Sequence, residues 1–401
     1  MLTKYRNILT LPGARSFLLA GLIARFPISM YGLGAVLLVQ SRTGSYFTAG
    51  VVSASFAIAA AVGGPITSRL VDRLGQNRLI PILLSIHVST LLIMIYLIIN
   101  DANLIFVIIL GVISGASEPT IGPFIRARWK KAAKNRQQEN TAFAMESVID
   151  EVIFIFGPPI VTFLCVVFYD ASGLLLAAIL VALGGIWLSG QKKTQPEIHI
   201  VGAQRGKSAL KYPGVISLFL VYILLGAVFG AAEVIAVAFS REKGSPELAG
   251  ALITAWSVGS LVAGISMGAI HFKNKLSHRF LISSFFFAIS LLPLPFISTL
   301  PALFVTLLIS GLAISPVLIS GYTLIGQLVP QNQLTEGFAW ANTGAGLGIA
   351  LASAIAGWII DNSGAQVAFW VVAAAGLLTF AITLITYQDL KQADSRSAIS
   401  A

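Results

Sequence analysis

Charge is what this chain has least of. Asp, Glu, Lys and Arg make up 10% of its 401 residues, where a soluble domain carries about 25%. So little charge cannot coat a surface facing water, which excludes an ordinary soluble enzyme. Cysteine is nearly absent as well. Cys165 stands alone in an apolar run, so neither a disulfide framework nor a thiolate metal cluster is expected. Catalytic signatures are missing too: there is no P-loop, no H-E-x-x-H pair, no cysteine–histidine pairing and no nucleophile elbow between a strand and a helix. Direct nucleotide use and membrane-embedded hydrolysis are therefore not expected. Nor is any cofactor or metal.

What the chain has is apolar length. Apolar residues are 56% of the sequence, gathered in runs of about 20, enough to cross roughly 30 Å of hydrocarbon as helix. The runs are continuous rather than alternating, which argues against a membrane barrel. They predict helices near 16–39, 46–70, 78–99, 104–129, 140–168 and 171–190, then 212–239, 246–271, 279–299, 301–329, 334–361 and 366–387. That makes twelve, an all-α integral membrane protein. The one long polar break, 191–211, predicts two six-helix units, 1–190 and 212–401, joined by a loop. The first fifteen positions are short and basic, and no cleavable signal is expected.

The net charge of +10 would suggest nucleic acid in a soluble protein. Here the basic residues lie in loops and read as topology signals, so no nucleic-acid partner is expected. With the N-terminus inside, all 26 lysines and arginines but Arg25, Arg42, Arg241 and Lys243 fall on the inner side. The positive-inside bias then places both termini in the cytoplasm. The halves also look like repeats. Phe56 aligns with Trp256 and Gly64 with Gly264; YDASG at 169–173 matches IDNSG at 360–364; TAFAME at 141–146 matches EGFAWA at 336–341; Pro119 matches Pro316. Repeated halves suit a transporter, since two similar bundles can rock about a shared site.

The stretch GGPITSRLVDRLGQNR, 63–78, ends the second run in a tight basic turn. Its spacing, with Gly64, Asp72, Arg73, Gly75 and Arg78, resembles motif A of the major facilitator superfamily, on the cytoplasmic loop between helices 2 and 3. Gln76 and Asn77 replace further basic residues of that motif. Gly157-Pro158-Pro159 resembles the antiporter motif C, although Ile153 stands where that motif has glycine. The family's mid-helix arginine is missing, with none between 101 and 125, and the second-half copy of motif A, 271–275, has lost its aspartate.

Ionisable residues in hydrocarbon are costly and face a cavity or a partner. Arg25 lies in the first run, Glu118 in the fourth, Glu146, Asp150 and Glu151 in the fifth, and Glu233 in the seventh. At 1.5 Å per residue, Arg25, Glu118 and Asp150 share a depth of about 12–15 Å, near the bilayer midplane. Glu146 and Asp150 share a helix face, and Glu151 points roughly 100° away. Two readings stand side by side. Arg25 is a structural counter-ion tying helix 1 to helix 5, or it belongs to a titratable cluster whose surplus of carboxylate holds an exchangeable proton. By the repeat, Glu118 aligns with Ser315 and Glu146 with Ala341, so the ionisable groups concentrate in the first half. His87 stands alone and reads as packed. Trp256, Trp340, Phe338 and Tyr322 read as packing, or as the lining of a pocket for an apolar solute.

The family resemblance implies a cavity among helices 1, 4, 7 and 10, which here hold Arg25, Glu118, Glu233 and Ser315. It also implies a cytoplasmic gate in which Asp72 meets Arg126 or Arg128 and the N-terminus of a helix starting near Leu334. The expected protein is a monomeric secondary transporter in a bacterial-type plasma membrane. It would move a small organic solute by alternating access, driven by protons, with export favoured. An importer, or a non-transporting receptor of the same fold, is the alternative. In a Cys165→Ser background, a cysteine at Thr194 should resist an impermeant thiol reagent applied to intact cells, and one at Ser245 should react. Labelling at Thr194 would overturn the orientation.

Overall fold

The computed structural model describes residues 2–196, 208–212, 214–269, 275–329 and 334–391, and among these no strand occurs. A short helix α1 (Leu2–Leu9) precedes the first span and was not foreseen from hydropathy. Its Ile8 and the following Leu11 are buried in the same apolar cluster as Phe17 and Trp129.

The spans follow in order. The first is α2 (Ala14–Arg25) and α3 (Tyr31–Thr43), the second α4 (Tyr46–Leu74), and the third α5 (Gln76–Ile99). The fourth is α6 (Leu104–Ser117) and α7 (Ile121–Ala132), the fifth α8 (Arg136–Phe163) with a π turn to Phe168, and the sixth α9 (Ser172–Gly190). The second half runs α10 (Val215–Glu242), α11 (Ala249–Ala269), α12 (Leu276–Leu291), α13 (Leu300–Gly311) with α14 (Ile314–Leu328), α15 (Leu334–Ser363) and α16 (Ala365–Ile385). Among the described residues, eleven helices are long and apolar enough to cross a membrane. The pair 14–29 and 31–43, bent by 41°, makes up to twelve. The expected count and order are the observed ones. The expected boundary loop lies mostly in 197–207, outside the described residues, as does the degenerate motif copy at 271–274.

Three spans are broken, and each break carries a proline. Pro27 follows Arg25, Pro119 follows Glu118, and Pro316 lies in the first turn of α14, just past the α13–α14 break. Proline removes an amide donor, crowds the preceding turn and pushes the residue before it out of helix. Glu118 accordingly has φ −58° and ψ 122°. Pro65 and Pro81 lie inside unbroken helices, so proline alone does not set a break. The first, fourth and tenth spans are thus interrupted, as backbone in a membrane can be only where protein or a watery cavity satisfies it.

The halves meet along three seams: α4 with α15, α8 with α11, and α3 with α10. Gly50 packs on the backbone of Ser353 and Ala354, and Gly250 on Pro158 and Pro159, positions where a Cβ would overlap the neighbouring chain. Thr254 Oγ1 donates to Ile155 O at 2.7 Å, and Arg241 hydrogen-bonds Gln40. Asp361, at the end of α15, takes the N-terminus of α4: it accepts from Ser45 Oγ (2.7 Å), Tyr46 N (2.8 Å) and Phe47 N (2.9 Å). A carboxylate there satisfies orphan amides and faces the positive end of the helix dipole.

Most described hydrogen bonds between the halves lie toward the face opposite the termini. The deepest, Thr343 Oγ1 to Ala61 O, is 3.5 Å long. From Leu334 to Thr343 is about 14 Å of helix, and along it Arg69 exerts a longer-range attraction on Glu336. Polar contact between the halves is thus concentrated, among the described residues, at one face. Asp361→Ala should weaken the closed seam by ~1–2 kcal/mol, about tenfold in population. Double electron–electron resonance between labels at Asn100 and Thr299, on opposite halves of the closed face, checks it. An unchanged distance distribution would remove Asp361 from the seam's energetics.

Candidate functional site

Arg25 is the last residue of α2, and the break that follows frees its side chain to reach α8. Its Nη2 meets Glu146 Oε2 at 2.5 Å, its Nη1 meets Asp150 Oδ1 at 2.9 Å, and its Nε donates to Gly21 O at 3.2 Å. The i, i+4 spacing on α8 presents both carboxylates to one guanidinium. The second oxygen of each acid is also taken. Trp129 Nε1 donates to Glu146 Oε1 at 2.7 Å, and Arg126 Nη2 reaches Asp150 Oδ2 at 2.9 Å. Trp129 is itself fixed edge-on against Phe17, with centroids 4.6 Å apart.

The result is an alternating chain, Glu146–Arg25–Asp150–Arg126, formally neutral and graded in burial. Arg25 and Glu146 are 5% and 0% exposed, whereas Asp150 and Arg126 are 37% and 38% exposed. A buried pair of this kind is held by its geometry and extra hydrogen bonds. The outer pair faces water and is the replaceable end, worth about 1 kcal/mol or less.

Sequence reasoning foresaw Arg25, Glu146 and Asp150 together, and the structure brings them together. It corrects the rest of the cluster. Glu118 makes no ion pair among the described residues. It sits at the break between α6 and α7, within electrostatic reach of Tyr31. The surplus of acid over base disappears, because Arg126 joins from α7. Glu151 is partly buried and feels the charge of Asp150 without an ion pair of its own among the described residues. Glu233, on α10, lies against Gly32 and the amide of Leu33, in the first turn of α3. It faces an N-terminus across the seam, as Asp361 does. Ser315 donates to Ser260 O at 2.8 Å, tying α14 to α11.

The expected gate also divides. A Cβ at Gly64 would come within 3.2 Å of the Thr120 methyl, and Ser68 shares a 2.9 Å hydrogen bond with Thr120, so α4 abuts the break of the fourth span. Gly75 joins α4 to α5 at φ +86°, a conformation that favours glycine. Arg73 and Arg78 are exposed. The side chains of Asp72 and Leu334 lie outside the described residues. Arg128 does not wait at the gate: it is fully buried, with Nε on Gln76 Oε1 (2.7 Å), Nη2 on Leu188 O (2.9 Å) and Nη1 on Gln191 O (3.0 Å) and Thr194 Oγ1 (2.6 Å). This cation caps the carbonyl end of α9. Gln76 completes it as a neutral acceptor, where a basic side chain would set two buried cations together.

In the second half, aromatic rings line up toward the end where the described termini lie. Tyr322 packs on Tyr222 and Phe338, at centroid distances of 5.0 and 5.7 Å, and Trp340 on Phe219 at 5.7 Å. Tyr322 Oη donates to Asn342 Oδ1 at 2.8 Å. Asn342 is exposed and neighbours Thr343, which touches α4. Trp256 lies apart from this wall, on Phe229.

Comparison with known proteins fits this architecture. A family model described as Major Facilitator Superfamily matches residues 17–280 and 216–399. No curated protein matches the chain in sequence. Among solved structures, the nucleoside transporter NupG superposes with TM-score 0.69 at 15% identity, over 95% of this chain and 100% of that one. A bacterial homologue of the iron transporter ferroportin, in an inward-facing state, gives 0.70 at 13% identity, over 93% and 98%. The human organic anion transporter TETRAN gives 0.64 at 14%, over 93% and 99%. At such identities the likeness concerns the fold alone.

Arg25→Ala should strand Glu146 in the protein interior and cost about 3–5 kcal/mol of stability, whereas Asp150→Asn, at the wet end, should cost about 1 kcal/mol or less. Thermal unfolding in detergent, with Arg25→Met/Glu146→Gln to recover most of the loss, separates the two. Equal destabilisation by Arg25→Ala and Asp150→Asn would contradict the graded cluster.

Proposed function

The chain belongs to the major facilitator superfamily and is a multi-pass membrane transporter; from that premise we propose that it is a proton-driven secondary transporter that exports a small organic solute. The observation carrying this reading is the graded chain Glu146–Arg25–Asp150–Arg126. Its buried end keeps Arg25 charged, while its open end leaves Asp150 accessible to a proton or to a competing solute. Protonation of Asp150 releases Arg126, so occupancy by a proton and by a solute group at that arginine are linked. Export is read from the resemblance of 157–159 to the antiporter motif.

The aromatic wall of Tyr322, Phe338 and Trp340, opposite the charges, supports a solute with an apolar ring system. On this reading residues 1–190 and 212–401 rock as two units about the loop 191–211. The transporter acts as a monomer, its termini are cytoplasmic, and Asp72 holds the cytoplasmic side in the opposite state. The face now closed is then the outer one.

The test uses sealed vesicles containing the purified protein, an imposed pH gradient, and a pH-sensitive dye to find a solute whose addition moves protons. With that solute, Asp150→Asn should lose gradient-driven accumulation and keep counterflow, because exchange needs no net proton movement. Full accumulation by both Asp150→Asn and Glu118→Gln would assign the cluster to structure and place coupling elsewhere, with Glu233 next.

A further inference from the structure

The helix α5 ends on a residue that its geometry does not favour. Asp101 N donates to Ile98 O at 3.3 Å and Ala102 N to Leu97 O at 3.0 Å, the paired bonds that finish a helix on a left-handed residue. Glycine ordinarily takes that place. Here Asp101 holds it, at φ 52°, and is the one described non-glycine residue with positive φ. A carboxylate is also poorly placed there, since the carbonyl end of a helix already carries negative potential. Nothing in the fold compensates. Asp101 is exposed, and its side chain makes no hydrogen bond or ion pair among the described residues.

A cation with spare capacity lies beside it. Arg42, in the last turn of α3, clamps Asp170 through Nε (2.7 Å) and Nη2 (3.1 Å), and Nη2 also reaches Tyr169 Oη at 3.3 Å. Its Nη1 makes no hydrogen bond among the described residues. Asp170 is occupied in turn, since Ser41 Oγ donates to its Oδ2 at 3.0 Å. Arg42 and Asp101 line one cavity of about 170 Å³, at the face opposite the termini. Thr48, from the first turn of α4, adds a hydroxyl to its wall, and buried Val39, Val52 and Val107 form its apolar side. A cavity of about 150 Å³ holds a benzene-sized molecule, so this one suits an occupant of about six to eight heavy atoms. Every lining residue belongs to the first half, so the cavity does not depend on how the halves meet.

We propose that this cavity binds a zwitterion, its primary ammonium on Asp101 and its anionic oxygen group, on a short linker, on Arg42 Nη1 and the Thr48 hydroxyl. Asp170 already neutralises Arg42, so the uncompensated charge is that of Asp101, and an ammonium is favoured over a simple anion. The ammonium must carry hydrogens, because a carboxylate without another donor gains most from a charge-assisted N–H···O bond. A quaternary ammonium offers none, and the cavity wall has no aromatic face to receive one instead. Two sources supply this chemistry at a membrane surface. One is the headgroup of phosphatidylethanolamine; the other is a free amino acid or phosphoethanolamine. The site is separate from the Glu146–Arg25–Asp150–Arg126 chain and needs neither proton movement nor turnover.

The experiment uses the full chain, purified in detergent and stripped of lipid. Thermal unfolding is followed as dihexanoyl phosphatidylethanolamine, dihexanoyl phosphatidylcholine, O-phosphoethanolamine or alanine is added, since a ligand of the folded state raises the midpoint by mass action. Phosphatidylethanolamine should stabilise the protein, and phosphatidylcholine of the same chain length should not. Asp101→Asn tolerates the left-handed backbone and removes only the charge. It should fold normally and lose about tenfold or more in affinity. Asp101→Gly, which puts the usual residue at this turn, should be at least as stable without ligand and lose the same binding. Saturation by the lipid alone assigns a headgroup site, and saturation by O-phosphoethanolamine or alanine assigns a site for free solute. Equal stabilisation by the two lipids, no response to any of the four probes, or binding undiminished in Asp101→Asn overturns the proposal.

Discussion

A guanidinium cannot be left alone in a membrane protein's interior, and much of the first half is arranged around that constraint. Arg25 closes α2, and the break behind it turns the side chain toward α8. Glu146 and Asp150, one turn apart, receive it, and Trp129 and Arg126 fill the remaining carboxylate oxygens. Removing any member leaves a charge or a polar atom short of a partner, at several kcal/mol for the buried ones. That is why five side chains from α2, α7 and α8 behave as one unit. Within the unit the Arg25–Glu146 pair is buried, whereas Asp150 and Arg126 are each more than a third exposed.

The same economy governs how the halves meet. Buried apolar side chains of both halves form one cluster across the seams. Glycines admit close backbone approach, and carboxylates reach across to helix starts. Asp361 at α4 and Glu233 at α3 each place a negative group on a first turn that has spare amides. Such contacts are satisfied when the halves are closed and can be replaced by water when they part.

Twelve spans, their order, the fold class and the family were legible in the sequence, because hydrocarbon imposes its demand residue by residue. So was the Arg25–Glu146–Asp150 association, since depth and i, i+4 spacing are linear quantities. Arg126 was not: at the end of a run it resembles any topology-setting basic residue, and only the packing of α7 on α8 turns it inward. Arg128 failed for the same reason in the opposite direction, being drawn to the carbonyl end of α9 rather than to Asp72. Gln76 stood out only as a departure from a motif, and its sense came with Arg128. Asp361 had left a signal, the repeated D-x-S-G turn at 170 and 361. Its repeat mate Asp170 binds Arg42 within the first half, so the repeat alone could not say that Asp361 would cross to the other.

The sequence by itself determined that this chain lies in a bilayer, how often it crosses and which half holds its charge. Each of these follows from local composition against a solvent that tolerates no unpaired polar group. Only the tertiary structure decided which charges neutralise which, that His87 links two breaks through Tyr31 and Ser114 rather than merely packing, and at which face the described polar contacts between the halves concentrate. Those outcomes depend on side chains from helices distant in sequence meeting within about 3 Å, and no spacing along the chain encodes that approach.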